Sequence, residues 1–172
     1  MELLELVTNL QTALKIDDLK DMPDKLLAIA LTDDDAAKDA IVDAVGGDLS
    51  VDFLQAVYQY YSADRKDLKQ DFTPKSLARL VSAMIGETDT CIDLCAGSGA
   101  LTIQRHNLQP KWDFVCYEYD DNVIPYLLFN MVIRNISGVI YQGDVLTNGE
   151  QPKYRIERGE RYGRVLNFES AI

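Results

Sequence analysis

Thiol and imidazole ligands are scarce in this chain: three cysteines and one histidine among 172 residues, with no Cys-x-x-Cys pair. A structural zinc site needs four such ligands at set spacings, so a metal centre is not expected. Cys91, Cys95 and Cys116 are too few, and odd in number, for a disulfide framework. Two of them sit in apolar, strand-like runs, where a reduced cysteine behaves as a small hydrophobe. No apolar run approaches the length needed to cross a bilayer. The start, Met1-Glu2-Leu3-Leu4-Glu5, lacks the basic stretch and small-residue cleavage site of a secretory signal. The chain therefore reads as cytoplasmic, with no membrane partner.

Positive charge is also in short supply, 17 Lys and Arg against 28 Asp and Glu. The imbalance is concentrated: residues 1–71 hold 16 acids and 7 bases, and the remainder 12 and 10. Affinity for nucleic acid comes largely from phosphate neutralisation, which such a surface supplies poorly. The one basic concentration is Lys153, Arg155, Arg158, Arg161 and Arg164, interleaved with Glu157 and Glu160. It reads as a solvated loop or edge of mixed charge. DNA is thus expected as a partner only alongside another chain.

What is present divides near residue 68. Residues 1–68 read as short helices, with Leu3, Leu4, Val7, Leu10 and Leu14 recurring at helical spacing. Pro23 opens a second helix through Leu31. Thr32 is the expected cap of a third, whose first turn carries Asp33, Asp34 and Asp35 and which Gly46-Gly47 ends. Ser50 is the expected cap of a fourth, with Phe53, Leu54, Val57 and Tyr61 as its core stripe. From residue 69 the pattern changes. Thr73-Pro74 reads as a cap and a helix-starting proline, Leu77, Leu80, Val81 and Met84 as one core face, and Gly86 as the stop. Strand-like runs follow at Thr90 to Cys95, Trp112 to Glu118 and Val139 to Tyr141, with a helix at the glycines and another from Asp121 through Arg134. Strands alternating with helices predict an α/β fold with a parallel sheet.

Three acids, Asp93, Glu118 and Asp144, stand at the ends of these successive strands, where open α/β sheets bind ligands. In the loop Ala96-Gly97-Ser98-Gly99 the glycines let backbone approach a ligand closely. Glu118 lies 21 residues beyond Gly97, the spacing of an acid that accepts from both ribose hydroxyls. Asp144 is placed to accept from an exocyclic adenine amine, and Phe72 to pack on an adenosine or its sulfonium tail. A Gly-x-Gly alone is weak, since a tight strand-to-helix turn needs no ligand, and either acid could belong to a turn or a helix start. The joint placement points to a nucleoside. NAD is disfavoured because Thr102 stands where the third glycine of its fingerprint would fall.

Residues 69 to 146 resemble the N6-adenine DNA methyltransferases, in particular the modification subunits of type I restriction systems. Gln70-Asp71-Phe72-Thr73-Pro74 is similar to that family's Phe-Thr-Pro motif, whose aromatic ring lines the cofactor site. Asp93-Leu94-Cys95-Ala96-Gly97-Ser98-Gly99 is similar to its Asp-Pro-x-Cys-Gly-Ser-Gly loop, with Leu94 for the proline and Ala96 for the first glycine. Glu118, followed by Tyr119, matches the ribose-binding acid. Asn130-Met131 with Gly138 resembles the helix and turn that come next. Gly143-Asp144-Val145-Leu146 resembles the Gly-Asp-x-Leu segment whose aspartate contacts adenine. The resemblance implies a Rossmann-like core over residues 69–172, preceded by the helical segment. It implies S-adenosylmethionine (SAM) as cofactor, held by Phe72, Thr73, Pro74, Asp93, Cys95, Ala96, Gly97, Ser98, Gly99, Glu118, Tyr119, Asp144 and Val145. It also implies methylation of adenine in DNA, with a companion methyltransferase or specificity subunit as partner.

The family's Asn/Asp-Pro-Pro-Tyr/Phe motif, which grips the flipped adenine, has no counterpart: no Asn-Pro occurs in these residues. Arg164-Val165-Leu166-Asn167-Phe168 offers only an Asn-Phe pair on what reads as an edge strand. SAM binding is expected, and catalysis by these residues alone is not. The alternative is a non-catalytic SAM-binding or scaffold subunit that pairs with another methyltransferase chain.

Overall fold

A computed structural model describes residues 2–61, 73–147, 149 and 151–166. Phe72, Asn167 and Phe168 lie outside the described residues, so those expectations have no structural counterpart here. The chain is a mixed α/β protein. Among the described residues it has seven α-helices and one five-stranded sheet.

Four helices come first: α1 (Leu3–Leu14), α2 (Met22–Ala30), α3 (Asp35–Ala44) and α4 (Phe53–Tyr61). Their apolar stripes converge, burying Leu10, Leu14, Leu26, Ile41 and Leu54 completely. Two caps differ from expectation. Asp34, not Thr32, accepts the Ala37 amide at the start of α3 (3.0 Å). Asp52, not Ser50, accepts from the Leu54 and Gln55 amides at the start of α4 (3.0 Å each). A carboxylate is a stronger acceptor for these free N–H groups than a hydroxyl, and both acids stand nearer the first turn.

Helix α5 (Lys75–Met84) begins after Pro74, with no side-chain cap from Thr73. It packs on α6 (Ala100–Leu108) through its small residues, Ala78 and Ser82. Most of the face expected to be core is turned outward instead: Leu77, Leu80 and Met84 are exposed, Met84 by 76%, while Val81 is half-buried. Small side chains allow the closer approach to α6, and the bulkier stripe is left at the surface. Arg105 of α6 clamps the junction, donating to the carbonyls of Ser82 (2.8 Å) and Gly86 (2.9 Å) while stacking over Trp112.

Strands β1 (Thr90–Asp93), β2 (Asp113–Glu118) and β3 (Gly138–Gln142) are parallel, joined through α6 and α7 (Ile124–Ile133). The sheet then turns antiparallel, so the expectation of a parallel sheet holds for three of its five strands. β4 (Gln151–Glu157) pairs with β3, and β5 (Arg164–Leu166) with β4. The basic segment, expected as a loop or edge of mixed charge, is largely strand, with β5 at the sheet's edge among the described residues, and its charges have partners within the chain. Lys153 pairs with Asp121, Arg155 with Glu157, Arg161 with Asp39 and Arg164 with Asp33, while Arg158 donates to the Trp112 carbonyl. Two of these pairs reach the acidic N-terminal helices, so part of that acidity serves to hold the helices against the sheet.

Because β1, β2 and β3 lie side by side in chain order, right-handed crossovers place α6 and α7 on one face. Phe114, Cys116 and Ile140 are buried beneath them. All ten residues of α7 are buried, since α2 packs on its other side. The opposite face of the sheet carries Ile92, Val115, Tyr117, Val139 and Tyr141. The two tyrosines stack at 4.9 Å, and Ile92 is 61% exposed.

His106, on α6 against Phe114, has its pKa pushed down to about 4, first by burial and then by the charges of Arg158 and Arg134. A neutral imidazole in the folded state gives stability that is complete above its ordinary value of 6.5 and is lost as pH falls toward 4. His106→Gln is expected to flatten the decline of the urea midpoint across that window. Parallel declines in the variant and the parent would contradict this assignment.

Candidate functional site

The carboxyl ends of β1, β2 and β3 come together around the glycine loop. As the chain leaves β1, the Asp93 carboxylate accepts from the Thr102 hydroxyl (3.0 Å), which ties the strand end to α6. Burial pushes the Asp93 carboxyl up, against the opposing bonds from Thr102 and the Cys95 amide. The Ala96 amide then donates to the Tyr117 carbonyl of β2 (2.9 Å), and Gly99 to Ala96 (2.9 Å), closing a tight turn. Gly97 and Gly99 have φ of 56° and 102°, left-handed values that a side chain strains. A Cβ on Gly99 would also lie 3.1 Å from Leu127 Cδ1.

Glu118 closes the loop from the second strand. One carboxylate oxygen accepts from the Gly97 amide (2.8 Å) and the other from Asp120 (2.8 Å). Burial raises its pKa above the ordinary 4.5, and these two amides oppose the rise. The backbone of Tyr119 also favours its ionised form. A carboxylate has about four acceptor positions, so acceptor capacity remains for a ligand's hydroxyl. The backbone carbonyl of Glu118 receives the Gly143 amide (3.0 Å), which sets the end of β3 beside it. Next in the chain, Asp144 is half-buried and turns the backbone, accepting from the Leu146 amide (2.9 Å).

The three acids share one electrostatic environment. Burial raises the pKa of the Cys95 thiol, and Glu118, Asp93 and Asp144 raise it further, in that order. Ala96, Ser98 and Gly99 are buried, whereas Cys95 and Tyr119, 61% exposed, face outward. Val145 is half-buried beside Asp144. Thr73 and Pro74 stand at the start of α5, where the Thr73 carbonyl accepts from Gln55 of α4 (3.0 Å). A cavity of about 440 Å³ bordered by Thr90, Ser137, Gly138 and Arg155 lies at the amino ends of the strands, the wrong end for a ligand of such a sheet.

The sequence marks Asn130 only as part of the resembling helix, and gives neither it nor Tyr58 a role in bracing this loop. Asn130, inside α7, donates to the Ser98 carbonyl (2.8 Å) and to Asp52 (2.8 Å). Tyr58 of α4 donates to Asp120 (3.1 Å), next to Glu118, and packs edge-on against Tyr126. One signal was available for Asn130. An amide within Leu127-Leu128-Phe129-Asn130-Met131-Val132, in a helix apolar on all sides, must find partners. Among the described residues no group of His, Cys, Asp and Glu could hold a metal ion. Nor is any described helix long and apolar enough to cross a membrane.

No curated protein and no solved structure matches the chain significantly. A family model described as N-6 DNA Methylase does match it, over residues 48–158. That stretch spans the glycine loop, Glu118, Asp144 and the Asp52 cap, and family members generally use SAM. The chain belongs to the N-6 DNA methylase family.

Proposed function

We propose that this chain binds SAM across the carboxyl ends of β1 to β3, as the cofactor-holding part of an adenine-specific DNA methyltransferase of the restriction-modification kind. The observation that carries the reading is the bond from Gly97 to Glu118, which sets a strand-end carboxylate with spare acceptor positions against a loop of left-handed glycines. Those residues fit the group: Glu118 would take the ribose hydroxyls, Asp144 the adenine, and Gly97 and Gly99 the methionine end. Phe72, Thr73, Pro74, Asp93, Cys95, Ala96, Ser98, Tyr119 and Val145 belong to the same proposed surround. SAM supplies an activated methyl group, so the protein's task is alignment rather than proton transfer. The chain's own residues supply one half of that alignment. They position the donor, while no Asn-Pro is available here to grip an adenine.

A second reading rests on a separate observation. Among the described residues β1 is an edge strand of the sheet, with Ile92 and Leu94 exposed along it and Leu77, Leu80 and Met84 exposed on α5. An unpaired edge invites another strand, and parallel sheets are ordinarily covered on both faces. In this reading a companion polypeptide covers that flank and brings the adenine site, and the chain is a non-catalytic SAM-binding or scaffold subunit.

Calorimetric titration with SAM and with its demethylated product separates binding from scaffolding. Micromolar binding is expected, together with no methyl transfer to DNA by these residues alone. No heat at millimolar ligand would overturn the SAM reading, and labelled methyl appearing in DNA would overturn the division of labour.

A further inference from the structure

The glycine loop is held from behind as well as from Glu118, and the group behind it reaches into the N-terminal helices. Asn130 is fully buried, and its carboxamide is engaged at both ends. The Nδ2 group donates to Asp52 and to the Ser98 carbonyl (2.8 Å each), and Oδ1 accepts from Arg134 (2.7 Å). The orientation is unambiguous, because a flipped amide would face two acceptors with its oxygen and a guanidinium with its NH2. The same oxygen of Asp52 that receives Asn130 also caps α4, accepting from Leu54 and Gln55. One amide group therefore joins the first turn of α4, 78 residues away in sequence, to the peptide between Gly97 and Gly99.

We propose that Asn130 is a positioning residue for the ligand loop: by donating at once to Ser98 and Asp52 it makes loop 96–99 and the start of α4 order together. The proposal rests on the reading of that loop as the SAM site. It adds that affinity depends on a residue that never touches the ligand. Coupling of this kind is reciprocal, so a ligand that orders the loop also protects the start of α4.

Hydrogen–deuterium exchange on the unmodified chain, with and without SAM, tests the coupling with no risk of misfolding. SAM is expected to slow exchange in the loop and also at Leu54 and Gln55. The second arm is Asn130→Asp, which fills the same space but sets a carboxylate against two acceptors. Without ligand, loop exchange in this variant is expected to rise about tenfold or more while β2 and β3 stay protected, and SAM affinity to fall about tenfold. Protection confined to the loop in the unmodified chain, or an unchanged loop in Asn130→Asp, would overturn the latch. A uniform loss of protection across every element would overturn it too, since Asn130 would then be a general core residue. If SAM does not bind the unmodified chain, the SAM reading fails, and the ligand-free comparison still decides the latch.

Discussion

Replacing Glu118 with alanine is expected to lower affinity for SAM about a hundredfold or more. Two effects add. The variant loses an ionised acceptor facing the ligand, and hydrogen bonds to charged groups contribute about 1.5–3 kcal/mol each. It also releases the Gly97 and Asp120 amides, both held at 2.8 Å, so the loop must be ordered by the ligand itself. Together these exceed the roughly 2.7 kcal/mol that a hundredfold change requires. Glu118→Gln, which keeps the shape and one acceptor oxygen, should lose less. The pH dependence has a definite sign. Binding needs the carboxylate, so affinity is full at high pH and falls as pH drops through the folded pKa of Glu118, which burial places above the ordinary 4.5. In Glu118→Ala that acid limb disappears. Titration at several pH values checks both points, and an unchanged affinity would remove Glu118 from the ligand.

The largest expected loss of stability comes from Arg134→Met, about 3–5 kcal/mol, the usual cost of breaking a buried charge network from one side. The Arg134 guanidinium donates to the carbonyls of Leu49 (2.8 Å) and Val51 (2.7 Å) and to both oxygens of Asn130. Burial brings its pKa down to about 10, while Asp52 and Asp48 favour the charged form, so it stays a cation at neutral pH. Burial also raises the pKa of Asp52, which the Ser98 hydroxyl and then Arg134 oppose. Removing the cation leaves the Leu49 and Val51 carbonyls without their donor and Asp52 without the positive charge that favours its ionised form, at the join between the N-terminal helices and α7. Arg134→Lys keeps the charge without the fork and should recover only part of the loss. Urea denaturation gives the comparison, and a loss under about 1 kcal/mol would show that the network is not cooperative.

Much of the site was legible because strand-end position and spacing carry it. Asp93, Glu118 and the Gly97–Gly99 turn fall at the edges of apolar runs that change period, and the structure brings them together. Asp144 was legible as a strand-end acid, though in the structure its carboxylate accepts from the nearby Leu146 amide and its carbonyl from Thr147, bonds that serve its own turn. What escaped the sequence did so for specific reasons. With Asp33, Asp34 and Asp35 adjacent to Thr32, only geometry selects the cap. The stripe Leu77, Leu80, Met84 tells that a face of α5 is apolar, but not that Ala78 and Ser82 would take the contact with α6. In Lys153-Tyr154-Arg155-Ile156-Glu157 the charges obscure a strand alternation that is present, and β4 follows it. Asn130 gives no periodic signal at all, because its role depends on Asp52, a partner 78 residues earlier.

The most direct measurement is a crystal structure of the chain with the demethylated product of SAM. Both ribose hydroxyls are expected within hydrogen-bond distance of the Glu118 carboxylate, with the adenine against Asp144. A ligand seated anywhere else, or a Glu118 side chain directed away from it, would contradict the account.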